Sequence, residues 1–180
     1  YLDHVPYRGV ELTEAGVREA LRVLRRHRIL ETYLTARLGY RWESVHEEAE
    51  RLEHAASDQL IERMAAALGD PSHDPHGAPI PTSSGEVEAT EPYTLSDLGA
   101  GETAMIRAVR DDDSEGLLAV EAAGLLPGTR VLVKAHRREP PELHLEIEEA
   151  EPRTLKLPFA LARRIYVVPT SPETSAEGEK

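Results

Sequence analysis

Between Thr13 and Gly69 the apolar residues recur at helical spacing, whereas beyond Leu95 most of them recur at strand spacing. In the first stretch Val17, Leu21, Leu24, Leu34 and Leu38 define one stripe of a long helix, capped by Thr13 and ending before Gly39. His27 and Glu31 fall inside that stripe. Ser44 and Glu47 have the S-x-x-E spacing of a capping box, which starts a second helix just before His46. Ser57 caps a third helix that runs to Gly69. Three helices with short connections leave apolar stripes for a second copy to bury, so the pattern predicts a homodimer.

Residues 1–12 alternate loosely about a turn at Pro6-Tyr7-Arg8-Gly9 and read as the last part of a β-hairpin without a partner strand. Residues 70–92, with Pro71, Pro75, Pro79 and Pro81, predict a linker or extended loop. His73 and His76 lie in it with no helical partner and read as loop histidines. Strands are expected over 102–110, 130–137, 142–147 and 165–168, with one helix over 114–123 that ends at Gly124 before a Pro127-Gly128 turn. Short strands around one brief helix predict a small barrel. The fold class is therefore α+β, divided as 1–12 hairpin, 13–69 helical domain, 70–92 linker, 93–168 barrel and 169–180 disordered tail.

Composition narrows the chemistry. Charged residues are 30% of the 180, and one Trp, one Phe and six Tyr leave a core of Leu, Val, Ile and Ala. There is no cysteine, which excludes disulfides, thiolate metal sites and cysteine nucleophiles and fits a cytoplasmic protein. No apolar run approaches the roughly 18 residues of a membrane span. A net charge of −12 argues against this stretch wrapping nucleic acid. The chain opens at Tyr1 without an initiator Met, and we expect it to lie within a larger protein.

The chemistry concentrates in His46-Glu47-Glu48-Ala49-Glu50-Arg51-Leu52-Glu53-His54. At about 100° per residue, Glu50, Glu53 and His54 fall at roughly +40°, −20° and +80° from His46, beside an apolar stripe of Val45, Ala49 and Leu52. The bland alternative is a solvated acidic face with two incidental histidines. His27 and Glu31 sit in an apolar stripe, where ionisable groups must pair with one another or bind a metal. Nitrogen and carboxylate donors without sulfur suit Mn²⁺ or Fe²⁺, with Zn²⁺ and Co²⁺ as substitutes.

Enzyme templates fit poorly. A zinc peptidase needs H-E-x-x-H, but Glu50 stands where the second histidine belongs. A di-iron bundle needs two E-x-x-H motifs, and Glu43-Ser44-Val45-His46 supplies one. No Ser/His/Asp order, phosphate-binding glycine loop or acid–base pair is evident, so the chain reads as a non-enzyme without a small-molecule substrate.

The run Leu12-Thr13-Glu14-Ala15-Gly16, then Arg26-His27-Arg28 with Glu31, Val45-His46-Glu47-Glu48-Ala49-Glu50 with Glu53-His54, and Pro79-Ile80-Pro81 resembles the diphtheria toxin repressor family of metal-dependent transcriptional regulators. From about 93 to 168 the chain is similar to the SH3-like domain that ends the longer members. The resemblance implies a bacterial cytoplasmic homodimer in which an N-terminal winged helix-turn-helix reads operator DNA. On that template residues 1–12 end the wing, Arg8 meets a phosphate near its tip, and the recognition helix lies before Tyr1.

Carried over by position, Glu50, Glu53 and His54 match the family's primary metal site, which an N-terminal helix completes. His27, Glu31 and His46 match the ancillary site. Asp113, with Glu115 nearby, is the counterpart of the SH3-like residues that complete the ancillary site, and Gly116 stands where a second such ligand would be. Glu50 replaces the Cys common in iron-sensing members, which places Mn²⁺ ahead of Fe²⁺. Arg28 matches an anion-binding arginine, but Asp74 and Ala78 replace its polar partners, and an acid there argues against an anion site. The competing reading is a non-regulatory metal-binding dimer whose SH3-like barrel docks a partner.

Overall fold

The computed structural model describes residues 1–5, 9–89, 93–149 and 151–170. Two compact units divide the chain, Tyr1–Thr90 and Glu91–Lys180.

The first unit opens with β1 (Leu2–Val5) paired antiparallel to β2 (Gly9–Leu12), with Leu2 opposite Leu12 and His4 opposite Val10. The hairpin therefore holds both its strands and needs no outside partner to pair. Arg8 lies outside the described residues. A long helix, α1 (Glu14–Leu38), follows directly, since Thr13 Oγ1 accepts the Gly16 N–H at 3.0 Å and Gly39 ends the helix at φ 72°.

Helix α2 (Val45–Glu53) and helix α3 (Asp58–Leu68) complete the unit. The expected capping box at α2 does not form. Ser44 has φ −121° and ψ −6°, so the turn from Arg41 feeds straight into the helix, and Ser44 Oγ donates to Arg41 O at 3.3 Å instead of receiving an N–H. At α3 the expected cap is present, with Ser57 accepting the Leu60 N–H.

The core of this unit joins Ile29, Leu30 and Leu34 of α1 to Val45 and Ala49 of α2, Ile61 and Ala65 of α3, and Ile80. The expected stripe on α1 is thus displaced. Val17 and Leu38 are 43% and 60% exposed, because α2 and α3 pack against the middle turns. Residues 70–89 form no helix or extended strand, but they are pinned: Ile80 N–H bonds Ser72 O at 2.8 Å, and His73 bridges Pro79.

The second unit is an antiparallel five-stranded sheet in the order β6-β5-β4-β3-β7. Its strands are β3 (Thr103–Val109), β4 (Arg130–Arg138), β5 (Pro141–Ile147), β6 (Arg153–Pro158) and β7 (Ile165–Thr170). The alternation over 142–147 places Leu143, Leu145 and Ile147 in the core and leaves Glu142, His144 and Glu146 more accessible. Helix α4 (Ser114–Ala123) packs Leu117 and Val120 inward.

Three elements of this unit escaped the sequence pattern, namely β6, the single-turn helix α5 (Phe159–Ala162) and a 3-10 turn at Leu95–Asp97. The expected tail is shorter than 169–180, since Pro169 and Thr170 belong to β7 opposite Ala104 and Thr103. Residues 171–180 lie outside the described residues. Among the described residues no helix is long and apolar enough to cross a membrane.

Candidate metal centre

Helix α1 presents His27 and Glu31 one turn apart, and α2 presents His46 and Glu53 from the facing side. His27 Nε2, Glu31 Oε1 and His46 Nδ1 make a near-equilateral triangle, with edges of 2.9, 3.0 and 3.0 Å. Metal–nitrogen and metal–oxygen bonds of about 2.1 Å put neighbouring ligands of an octahedral ion roughly 3 Å apart, so the triangle has the edge length of one coordination face. Two imidazole nitrogens and a carboxylate oxygen are a donor set for a borderline or hard divalent ion.

The electrostatics of this triangle are those of a held cation. His27 makes a second contact, Nδ1 to Glu53 Oε2 at 2.9 Å. Burial disfavours its charged form, but the hydrogen bonds and charges of Glu31 and Glu53 prevail and push its pKa up to about 9. In the metal-free protein at neutral pH His27 is thus an imidazolium donating to both carboxylates. Glu31 is fully buried, yet its pKa lies below the usual carboxylate range, because His27, His76 and His46 outweigh the burial that opposes ionisation. A metal here would replace a proton.

Sequence reasoning placed His76 among loop histidines, and the structure corrects this. The side chain is 1% exposed, stacks on Trp42 with ring centroids 4.9 Å apart, and sets Nε2 2.9 Å from Trp42 O. Donation to that carbonyl uses Nε2–H and turns Nδ1 toward Glu31 Oε2, 4.0 Å away. Among the described residues Glu31 Oε2 itself is buried without a hydrogen-bond partner.

Asp74 joins the same group. Ligating atoms of Glu31, Asp74 and His76 lie within 4.8 Å of one another. Asp74 Oδ1 accepts the N–H groups of His76 and Ala78, and Oδ2 lies 3.4 Å from Arg28 Nε. Burial first, and then the charge of Glu31, raise the Asp74 pKa to about 6 against the pull of Ala78, His76 and Arg28. Two buried carboxylates this close favour a cation between them. The sequence carried a signal in the spacing Asp74-x-His76 between prolines, but nothing in it showed that the loop folds inward.

The other expected ligands stand apart. Glu53 touches His54, Oε1 to Nε2 at 3.1 Å, but the His54 side chain is 78% exposed and lies just past the end of α2. Glu50 is exposed. Glu50, Glu53 and His54 do not close into a three-ligand group among the described residues.

In the second unit Asp113 caps α4, with Oδ1 accepting the Glu115 N–H at 3.1 Å and Oδ2 3.8 Å from Arg164 Nη1. Glu115 is exposed. Gly116 is a packing requirement, because a Cβ there would meet Asp113 Oδ2 at 2.8 Å and Arg164 Nε at 3.2 Å.

Comparison with known proteins places this geometry in context. Residues 13–82 match the family described as iron dependent repressor, metal binding and dimerisation domain, and residues 93–169 match the FeoA domain. A solved manganese-dependent transcriptional repressor in complex with manganese superposes with a TM-score of 0.88 at 40% identity, covering 94% of this chain and 78% of that one. The chain belongs to the diphtheria toxin repressor family.

Curated relatives include the diphtheria toxin repressor of Corynebacterium glutamicum, 37% identical over 142 residues, 72% of this chain and 62% of the relative. Another is the iron-dependent repressor IdeR of Mycobacterium tuberculosis, 34% identical over 142 residues, 71% of this chain and 60% of the relative. The chain thus spans about three fifths of these diphtheria toxin repressor family members. Its helical unit corresponds to the matched metal-binding and dimerisation domain, and its five-stranded unit to the FeoA domain.

Proposed function

We propose that this chain is the metal-sensing and dimerising part, with its SH3-like domain, of a transcriptional regulator of metal-homeostasis genes. Binding of Mn²⁺, or Fe²⁺ in second place, favours the homodimer that fits operator DNA. The observation that carries this reading is the His27–Glu31–His46 triangle, held between two helices of a domain whose relatives are named as iron- and manganese-dependent repressors.

The absence of sulfur from this donor set, and Glu50 in α2, support manganese on ligand chemistry. His27, Glu31 and His46 would hold the ancillary ion, with Asp74 and His76 as neighbouring donors to Glu31's side of the site. Glu50, Glu53 and His54 would hold the primary ion with ligands from the winged helix. A bound ion supplies charge that ties helix to helix, and it shifts the equilibrium only as far as it prefers the operator-competent state. The reading contains no catalytic step.

The test is a metal titration of the full-length regulator in an operator gel-shift assay, with Mn²⁺ against Fe²⁺ under anaerobic conditions. Operator affinity should rise at least about tenfold with metal, a coupling of the usual size for allosteric effectors. Equal affinity with and without metal rules the reading out.

A further inference from the structure

A recess of about 320 Å³ lies between α1, α3 and the turn at 82–85, away from the metal centre. Arg18, Arg22, Arg25 and Arg26 line it from successive turns of one face of α1, in a chain whose net charge is −12. Facing them are two carboxylates, Asp58 and Glu62, and the hydroxyls of Thr82, Ser83 and Ser84.

The pairing inside the recess is incomplete. Arg25 forms a two-pronged pair with Glu62 at 3.1 and 2.9 Å, and Arg22 bonds Asp58 at 2.5 Å and Glu19 at 3.1 Å. Arg26 shares Asp58 at 3.6 Å and donates to Ala56 O, but its Nε is buried with no hydrogen-bond partner among the described residues. Arg18 reaches only as far as 3.9 Å from Glu14, with both side chains largely in solvent. Three guanidinium groups thus share two lining carboxylates, Arg18 stands beside them largely in solvent, and among the described residues one buried N–H is left over.

We propose that this recess binds a small, multiply charged oxyanion of the phosphate class. Guanidinium forks match phosphate oxygens in pairs, and a multiply charged ion satisfies several forks at once, which a single carboxylate cannot do. The recess is concave and lined by hydroxyl donors, a shape for a free phosphate or phosphate ester and not for the convex backbone of a duplex. Asp58 occupies part of the positive surface and competes with the ligand.

The experiment titrates the full chain, stripped of metal, with inorganic phosphate and with pyrophosphate at constant ionic strength, read by calorimetry and ³¹P NMR. Saturable binding of one ion per chain is expected, weakened about fivefold or more in Arg18→Ala and strengthened in Asp58→Asn. Circular dichroism of both variants confirms that they fold. No saturable binding in either the parent or Asp58→Asn overturns the proposal, as does unchanged affinity in Arg18→Ala. A parallel titration with non-operator duplex separates the sources of phosphate: if Arg18→Ala loses duplex binding and keeps phosphate binding, the arginines belong to nucleic acid and the recess is not the site. Because metal is absent throughout, this outcome is independent of metal sensing.

Discussion

His27 Nδ1 lies 2.9 Å from Glu53 Oε2, so one carboxylate of the expected primary group is held by a histidine of the expected ancillary group. The other oxygen of Glu53 holds His54 at 3.1 Å. Whatever occupies one group is therefore felt by the other through a single side chain.

This sharing predicts coupled metal binding. Calorimetric titration of the chain with Mn²⁺ should show Glu53→Gln weakening more than one binding event, and His27→Ala doing likewise. Loss of ligating or supporting groups of this kind costs on the order of 10–100-fold in affinity. Two independent isotherms, only one of which responds to Glu53→Gln, would sink the idea of a shared carboxylate.

Proton release should accompany metal binding. His27 holds its proton until about pH 9 in the metal-free protein, so apparent metal affinity should climb steadily from pH 6 toward pH 9. Calorimetry in buffers of different ionisation enthalpy counts the released protons. The metal-free fold should behave oppositely: a histidine whose pKa rises from about 6.5 on folding stabilises fully below that pH and loses this contribution as pH rises through about 9. Denaturant midpoints that increase from pH 6.5 to 9 in the absence of metal would contradict the His27 assignment.

Trp42 is the sole tryptophan, and it donates Nε1–H to Pro75 O at 2.9 Å while stacking on His76. Because His76 faces Glu31, a cation at Glu31 should alter Trp42 emission. Zn²⁺, which is diamagnetic, serves as the probe, and His76→Phe should abolish the change without unfolding the chain. Unaltered emission at a Zn²⁺ concentration that calorimetry shows to be saturating would mean that the loop does not register the ion.

Gly116→Ala should destabilise the second unit by about 1–3 kcal/mol, the usual cost of forcing a methyl group into filled space. The new Cβ collides with the Asp113 carboxylate that caps α4. Urea unfolding followed by circular dichroism measures the loss, and a variant as stable as the parent would show that the cap moves freely.

Local chemistry made much of the fold legible. Thr13, Gly39, Ser57, Gly69 and Gly124 mark helix ends by capping and left-handed conformations that depend on one or two residues, and each ends a helix where the spacing predicts. The strands 103–109, 130–138 and 141–147 likewise follow from alternation.

What failed depended on distant partners. Ser44 carries the capping-box spacing, but the turn from Arg41 determines its backbone angles. Strand β6 has the sequence Arg-Thr-Leu-Lys-Leu-Pro, with too few apolar residues to announce itself, and exists because β5 offers it a full ladder. His76 reads as a loop residue because its burial comes from Trp42, 34 positions earlier. The pair His27 and Glu31 was readable because helical spacing brings both donors to one face of α1, whereas His46 comes from α2 and joined them only through the family resemblance.

Helix α1 is unbroken from Glu14 to Leu38, with the hairpin joined at one end and His27 and Glu31 near its middle. Treated as a rigid rod pivoting at these two side chains, it is a lever. The rise from Thr13 to His27 is about 21 Å, so a tilt of about 5° there would swing the hairpin by about 2 Å. A displacement too small to matter among the donors themselves is, at the end of this arm, comparable to the tolerance of a hydrogen bond.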